Sequence, residues 1–319
     1  MHRLATATIA ASMSLLAGHA HAAESSITIA VFTKNTTNPA YSAFRIAADQ
    51  IGQLTGAQIR HFVPKQPDNV DEQKAMVEQV LKDRPDAVVF IPVDDVAMIG
   101  SVKKLNEAKI PIVLAANPLP GDFVTYVGAD DFEIGTREAR YLFEKLGGKG
   151  KIVVIEGTTG APTNRERVRG YKRAFAEYPS IEVLGFGTGN YQQPDATRVM
   201  EKFLEQYKQI DAVLSANDSM ALGALEALKA ANRTAIVIGI NGILPAVKEI
   251  ESGNLLASVD FNMFKIGCTA TRAAVRYLNH EQLPDKVILP AEIIDNSNYK
   301  AWLVPVEQRS CPEWSKFVK

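Results

Sequence analysis

The sequence predicts two α/β domains, each a doubly wound parallel sheet, with a ligand cleft between them. Short strands that are apolar throughout alternate with amphipathic helices from Ile27 onward, and the alternation starts again near mid-chain. Strands with no polar face are typical of parallel sheets that helices cover on both sides. A length of 319 residues and an apolar content of 46% suffice for two cores.

The first domain begins with a strand over residues 27–32, which is rich in β-branched residues and ends at the turn-forming segment 35–39. Apolar residues then recur at three- and four-residue spacing from Tyr41 to Leu54, which predicts an amphipathic helix. The same criteria give the other elements of this half: strands 57–63, 87–91, 112–115 and 123–127, and helices 69–82 and 96–108.

The second half repeats the pattern, with helices 133–146, 164–178, 195–207, 219–231, 245–252 and 265–278, and strands 151–156, 181–186, 212–215, 236–240, 256–259 and 287–294. The second run of the pattern predicts a second domain.

Residues 1–22 have the composition of a secretory signal peptide. Arg3 precedes an apolar run over 4–17, and Ala20-His21-Ala22 places small residues where a signal peptidase cuts. The run is about 14 residues long, short of the ~20 that a membrane-spanning helix needs. The sequence therefore predicts a cleaved leader and export to the periplasm.

Composition excludes several partners. With 35 basic and 36 acidic residues, the chain lacks the basic surface that nucleic acid requires. Only His61 and His280 remain after the leader, and Cys268 and Cys311 have no zinc-type spacing. We therefore expect no metal and no cofactor. A disulfide between the two cysteines and two free thiols are equally compatible with the sequence.

Polar residues follow the predicted strands in both halves. Doubly wound sheets bind ligands beyond the carboxyl ends of their strands, so these residues predict two half-sites that face one cleft. They are Thr33, Lys34, Asn38, Asp94, Asp95 and Asn117 in the first half, and Arg165, Tyr191, Asn217, Asp218 and Asn241 in the second.

Several motifs resemble those of periplasmic sugar-binding proteins of the ribose-binding type. The segment 212–225 contains a strand, Asn217-Asp218 and a helix; 164–171 matches the family's arginine motif, and 37–41 its first loop. Further matches lie at 91–94, 110–113 and 237–242. The resemblance covers residues 27 to about 294. It implies two lobes joined by a three-strand hinge: an N-terminal lobe of residues 23–128 and 261–294, and a C-terminal lobe of residues 129–260, followed by a C-terminal extension at 295–319. The hinge is then expected near 127–130, 258–261 and 293–297. The lobes would close on a small sugar and present it to the permease of an ABC importer.

The resemblance also implies roles for individual residues. Tyr41 and Tyr191 would stack on a sugar ring, Arg165 would donate paired hydrogen bonds, and Asn217 and Asn241 would each offer a donor and an acceptor.

The sequence departs from the family pattern at several positions of the expected site. Asn117 stands where ribose-type proteins have the arginine of an Asp-Arg pair, Asn241 replaces an aspartate, and Phe261 replaces a glutamine. The site is then less charged and more apolar. A tetritol, a deoxy sugar or a neutral non-sugar metabolite becomes an alternative ligand, as does an acidic sugar if Lys34 points inward.

Other functions lack the required motifs. There is no G-x-S-x-G elbow and no phosphate-binding loop, so we expect no enzymatic activity. A transcriptional regulator with the same ligand-binding core would need a DNA-binding helix-turn-helix before the first strand, and the predicted leader occupies that part of the sequence. We expect a monomer that serves an importer, and a membrane sensor as its partner remains the alternative.

Overall fold

The computed structural model describes residues 27–318. The predicted leader, Met1–Ala22, lies outside the described residues. Within the described part of the chain, no helix is both long and apolar enough to cross a membrane.

The first sheet is parallel throughout and has the strand order β11-β5-β4-β3-β1-β2. Its strands are β1 Thr28–Phe32, β2 Gln58–Phe62, β3 Ala87–Phe90, β4 Ile112–Ala115, β5 Thr125–Gly128 and β11 Lys286–Ile288. The helices around it are α1 Pro39–Thr55, α2 Val70–Asp83, α3 Ile99–Glu107 and α9 Met263–Leu278. We call this unit the N-terminal lobe.

The second sheet has the order β12-β10-β9-β8-β6-β7, and only β12 runs antiparallel to its neighbour. Its strands are β6 Lys149–Glu156, β7 Ser180–Thr188, β8 Ala212–Ser215, β9 Ile236–Ile240, β10 Ala257–Asp260 and β12 Glu292–Asp295. Its helices are α4 Asp131–Lys145, α5 Pro162–Glu177, α6 Gln193–Gln206, α7 Asp218–Ala230 and α8 Leu244–Glu251. This unit is the C-terminal lobe, and the predicted fold class is confirmed.

The predicted strand 287–294 differs from the structure because it is divided between the two sheets. Its first part is β11 in the N-terminal lobe, and its second part is β12 in the C-terminal lobe. Pro290 lies between them and has no N–H to donate to a strand. The chain therefore passes between the lobes at residues 289–291, as it also does after β5 and after β10.

Close helix packing fixes the orientation of α5 in the C-terminal lobe. Gly135 on α4 lies against the backbone of Arg167, and Gly170 on α5 lies against the backbone of Phe132. A side chain at either glycine would overlap the opposite helix. This approach brings the start of α4 beside the middle of α5.

The two cysteines form a disulfide, which decides between the alternatives that the sequence left open. Cys268 lies in α9, and Cys311 lies in the C-terminal extension, with 5.5 Å between their Cα atoms. The extension contains three short 3-10 helices, Tyr299–Trp302, Val306–Gln308 and Trp314–Lys316.

Candidate functional site

A small cavity lies between the lobes at the carboxyl ends of their parallel strands. Its volume is about 30 Å³. Both lobes and the hinge contribute lining residues: Asn38, Ala40, Tyr41, Asn117, Thr163, Arg167, Tyr191, Asn217, Asn241, Phe261 and Met263. Strand-end loops and helix starts from two sheets therefore converge on one space, as the topology requires.

The structure brings most of the predicted site residues together here. Those that line the cavity are Asn38, Tyr41, Asn117, Tyr191, Asn217, Asn241 and Phe261. Those that lie elsewhere are Thr33, Lys34, Asp94 and Arg165. Sequence reasoning did not single out Thr163, Arg167, Ala40 and Met263.

Arg165 does not reach the cavity, which corrects the sequence-based expectation. Its side chain is 51% exposed and pairs with Asp95 of the other lobe and with the carbonyl of Gly160. Arg167 occupies the expected place. On a helix, two residues of separation turn a side chain by about 200°, so only one of the two arginines can face the cavity.

The sequence contained a signal for the correct arginine. Asn164 and Tyr171 lie on the buried face of α5, and Arg167 is three residues after the first and four before the second. Residues at these spacings share one face of a helix. Arg167 therefore points inward, whereas Arg165 points to the rim of the cleft.

Arg167 is the charged centre of the site. Only 3% of its side chain is exposed; Nε donates to Asp131 Oδ1 at 2.8 Å, and a terminal nitrogen donates to the carbonyl of Ala216 at 2.6 Å. Its guanidinium carbon lies 4.9 Å from the Phe261 ring centre. Burial lowers the pKa of Arg167, but the charge and hydrogen bond of Asp131 act together with Tyr191 and Tyr171, and their combined effect raises the pKa above its ordinary value. The arginine stays charged, and the aspartate balances it.

Lys34 and its neighbours have structural partners outside the cavity. Lys34 is 1% exposed, and its Nζ lies 3.7 Å from Asp68 Oδ2, so it is neither solvated nor directed at the ligand space. Thr33 accepts a hydrogen bond from Arg45 at 2.9 Å. Asp94 accepts from the backbone N–H groups of residues 96 and 97, as a turn-capping aspartate does.

Three of the four asparagines that line the cavity also stabilise backbone. Asn38 and Asn217 cap α1 and α7, accepting from the N–H groups of residues 40 and 220 at 3.0 and 2.9 Å. Asn117 donates to the carbonyl of residue 92 at 3.1 Å. Within residues 27–318, the side chain of Asn241 forms no hydrogen bond. Its amide is therefore free to bind a ligand.

Asp218, beside Asn217, is a structural residue. Its carboxylate accepts from the N–H of Ile243 at 3.0 Å and from the hydroxyl of Ser258 at 2.6 Å. Burial raises its pKa to about 6. Both carboxylate oxygens hold the loop after β9 and strand β10, and Asp218 is absent from the cavity wall.

Aromatic side chains form the apolar part of the wall. Tyr191 has a positive φ of 59°, and its ring covers Gly157 so closely that a Cβ there would overlap the ring. Its hydroxyl lies 3.0 Å from the hydroxyl of Thr163. Phe261 and Tyr41 complete this surface. Flat apolar rings can pack on the C–H face of a polyhydroxylated ligand.

The lobes are in contact across the cleft. Besides the Arg165–Asp95 pair, the Thr37 hydroxyl donates to Gln192 Oε1 at 2.9 Å. These contacts close the rim above the cavity. The fold and the site together define a two-lobed binding protein whose lobes are in contact across the cleft.

A family model described as a periplasmic binding protein domain matches residues 29–282. The chain belongs to the periplasmic binding protein family. A xylitol-binding protein from Mycolicibacterium smegmatis is 33% identical over 194 residues, which are 60% of this chain and 55% of that protein. A ribose import binding protein from Salmonella typhimurium is 26% identical over 296 residues, 92% of this chain and 98% of that protein.

A solved structure agrees with this assignment. An ABC transporter periplasmic solute binding protein from Actinobacillus succinogenes with bound D-allose has a TM-score of 0.82 and 27% identity to this chain. The match covers 86% of this chain and 99% of that one.

Proposed function

We propose that this protein captures a small neutral sugar or polyol between its lobes in the periplasm and delivers it to the permease of an ABC importer. The observation that carries the proposal is a single cavity lined by amide, guanidinium and aromatic side chains from both lobes. A ligand that contacts both half-sites stabilises the closed state selectively and shifts the population toward it.

Charge favours a neutral ligand over a sugar acid. Among the described residues that line the cavity, Arg167 alone is charged, and Asp131 balances it. A carboxylate ligand would have to compete with Asp131 for the guanidinium. The free amide of Asn241 and the unused amide hydrogens of Asn38 can each serve a hydroxyl, which both donates and accepts.

Size and lining favour a single short polyol or one sugar ring. The enclosed space is small, and Tyr41, Tyr191 and Phe261 leave part of the wall apolar. The names of the relatives support this class, since one binds xylitol and a structural neighbour was solved with D-allose. Delivery to an importer rests on the ribose import binding proteins among the relatives.

The test is calorimetric titration of the chain from residue 23 with xylitol, D-ribose, D-allose and D-galacturonate. We expect saturable binding of at least one neutral ligand, none of the sugar acid, and recovery of the ligand chemically unchanged by mass spectrometry. A matched variant, Asn241→Ala, should bind the same ligand with ~1–3 kcal/mol less free energy. Binding of the acid alone, or conversion of a ligand to product, would refute the proposal.

Localisation has its own test. We expect the exported protein to begin near Ala23 when the full chain is expressed in a Gram-negative host, and intact-mass measurement of the periplasmic fraction gives the start directly. A protein retained in the membrane with residues 1–22 attached would contradict a cleaved leader.

A further inference from the structure

Residues 296–318, which we call the strap, cross from one lobe to the other. After β12 in the C-terminal lobe, the 3-10 helix Tyr299–Trp302 packs against α8 of the same lobe. The next 3-10 helix, Val306–Gln308, packs against α1 of the N-terminal lobe. The strap therefore passes between the lobes near residues 303–305.

The far end of the strap is fixed to the N-terminal lobe. Cys311 is bonded to Cys268 in α9, and Arg272 of α9 donates to the carbonyl of Pro312. Gln50 of α1 donates to the carbonyl of Arg309 at 2.8 Å. One covalent bond and two hydrogen bonds hold this end on a single lobe.

The near end of the strap contacts the hinge. The indole N–H of Trp302 donates to Asp260 Oδ2 at 2.9 Å, and Asp260 is 4% exposed. The other carboxylate oxygen of Asp260 accepts from the N–H of Asn262 at 2.8 Å. A Cβ at Gly242 would lie 3.5 Å from the Trp302 ring. Trp302 thus contacts Asp260, which precedes the cavity residue Phe261, and its ring lies near Gly242, which follows the cavity residue Asn241.

Arg309 connects the two ends. Its guanidinium donates to the carbonyls of Trp302 and Val304, each at 2.9 Å, while its own carbonyl accepts from Gln50. Contacts therefore run without a break from α1 and α9 of the N-terminal lobe, through Arg309 and Trp302, to Asp260 in the hinge.

Space remains between the strap and the hinge. A cavity of about 140 Å³ lies among the strap (Val306, Glu307 and Arg309), the hinge region (Asp260 and 262–264), the segment 241–245 after β9 and the start of α1. The fixed contact is the hydrogen bond from Trp302 to Asp260.

We propose that the strap is a fourth connection between the lobes, and that Trp302 is a positioning residue for the hinge segment 260–262, which carries Phe261 into the ligand cavity. Through this contact the strap holds the hinge in its closed geometry and limits how far the empty lobes separate. The disulfide keeps the strap anchored while the lobes move.

The test compares Trp302→Phe, which removes the indole N–H and keeps an aromatic ring, with Trp314→Phe. Trp314 is in the strap but stacks with Arg276, away from the hinge. Hydrogen exchange of the Asn262 amide and small-angle X-ray scattering are measured without ligand. We expect Trp302→Phe to speed exchange at Asn262 about tenfold and to increase the radius of gyration, with no change in Trp314→Phe.

Cys311→Ser releases the anchor without touching the hinge, and it should increase the radius of gyration in the same direction. Unchanged exchange and scattering in both Trp302→Phe and Cys311→Ser would overturn the proposal, as would an equal effect of Trp314→Phe. Because no ligand is added, this result is independent of whether the cavity binds a sugar.

Discussion

Replacing Arg167 tests the electrostatic centre of the site. Arg167 and Asp131 form a buried ion pair, with 3% and 5% of their side chains exposed. Arg167→Ala removes the guanidinium and leaves the Asp131 carboxylate buried without its partner. Breaking a buried pair by removing one partner costs about 3–5 kcal/mol of unfolding free energy. Urea unfolding at about pH 8 measures this loss directly.

The pH dependence of this loss has a definite sign. Burial raises the pKa of Asp131, and Arg167 opposes that rise. Without Arg167 the folded-state pKa rises further above the unfolded value, so the folded variant binds a proton that the unfolded chain releases. The stability of Arg167→Ala therefore increases as the pH falls. We expect the loss of unfolding free energy relative to the parent to be largest near pH 8 and smaller near about pH 5.

Two further variants separate stability from binding. Arg167→Lys keeps a positive charge beside Asp131 but loses the planar fork, so it should retain more stability than Arg167→Ala and still bind the ligand more weakly. Arg165→Ala removes a half-exposed guanidinium with its pair to Asp95 and its hydrogen bond to the carbonyl of Gly160, and it should change the unfolding free energy by about 1 kcal/mol. An unfolding free energy of Arg167→Ala equal to that of the parent at both pH values would refute the reasoning.

Three other substitutions have distinct expected results. Asn241→Ala should weaken ligand binding while leaving the urea midpoint unchanged, because its side chain has no hydrogen-bond partner within residues 27–318. Gly157→Ala should weaken binding in calorimetry, because the added methyl group displaces the Tyr191 ring from the cavity wall. Glu138→Gln should raise stability near pH 8: burial raises the pKa of Glu138 above its unfolded value of 4.5, so its contribution is lost as the pH rises.

Matched controls make these results specific. Asn217→Ala should lower both affinity and stability, the latter by about 0.5–2 kcal/mol, because Asn217 also caps α7. Gly100→Ala adds its methyl group to open space and should leave binding unchanged. Unfolding free energies of Glu138→Gln and the parent that change equally with pH would contradict the assignment of that pH dependence to Glu138.

Much of the fold could be predicted because the spacing of apolar residues distinguishes strands from helices. Apolar runs such as 112–115, 212–215 and 236–240 are strands in the structure with the same bounds. The structure differs from the prediction at 287–294, where one strand was expected and two are found. Both halves of the segment are extended, so the local pattern does not separate them. Only the position of the two sheets decides which lobe each half joins.

The candidate site was predicted less completely, for a geometric reason. Asparagines and tyrosines after strands had to lie at the cleft, since the carboxyl ends of parallel strands meet there. Thr33, Lys34, Asp94 and Arg165 lie outside this cavity, because side chains close together on a helix or loop point in different directions. The better choice, Arg167, followed from the buried spacing of α5.

The sequence by itself determined the two α/β lobes, the family resemblance and the edge of each sheet where a ligand would bind, because these depend on periodicity and on residues close together in the chain. Only the tertiary structure decided that Arg167 meets Asp131, that Cys268 bonds Cys311 and that Trp302 reaches the hinge. Each of these contacts joins residues far apart in sequence, and the packing of helices and lobes brings them together.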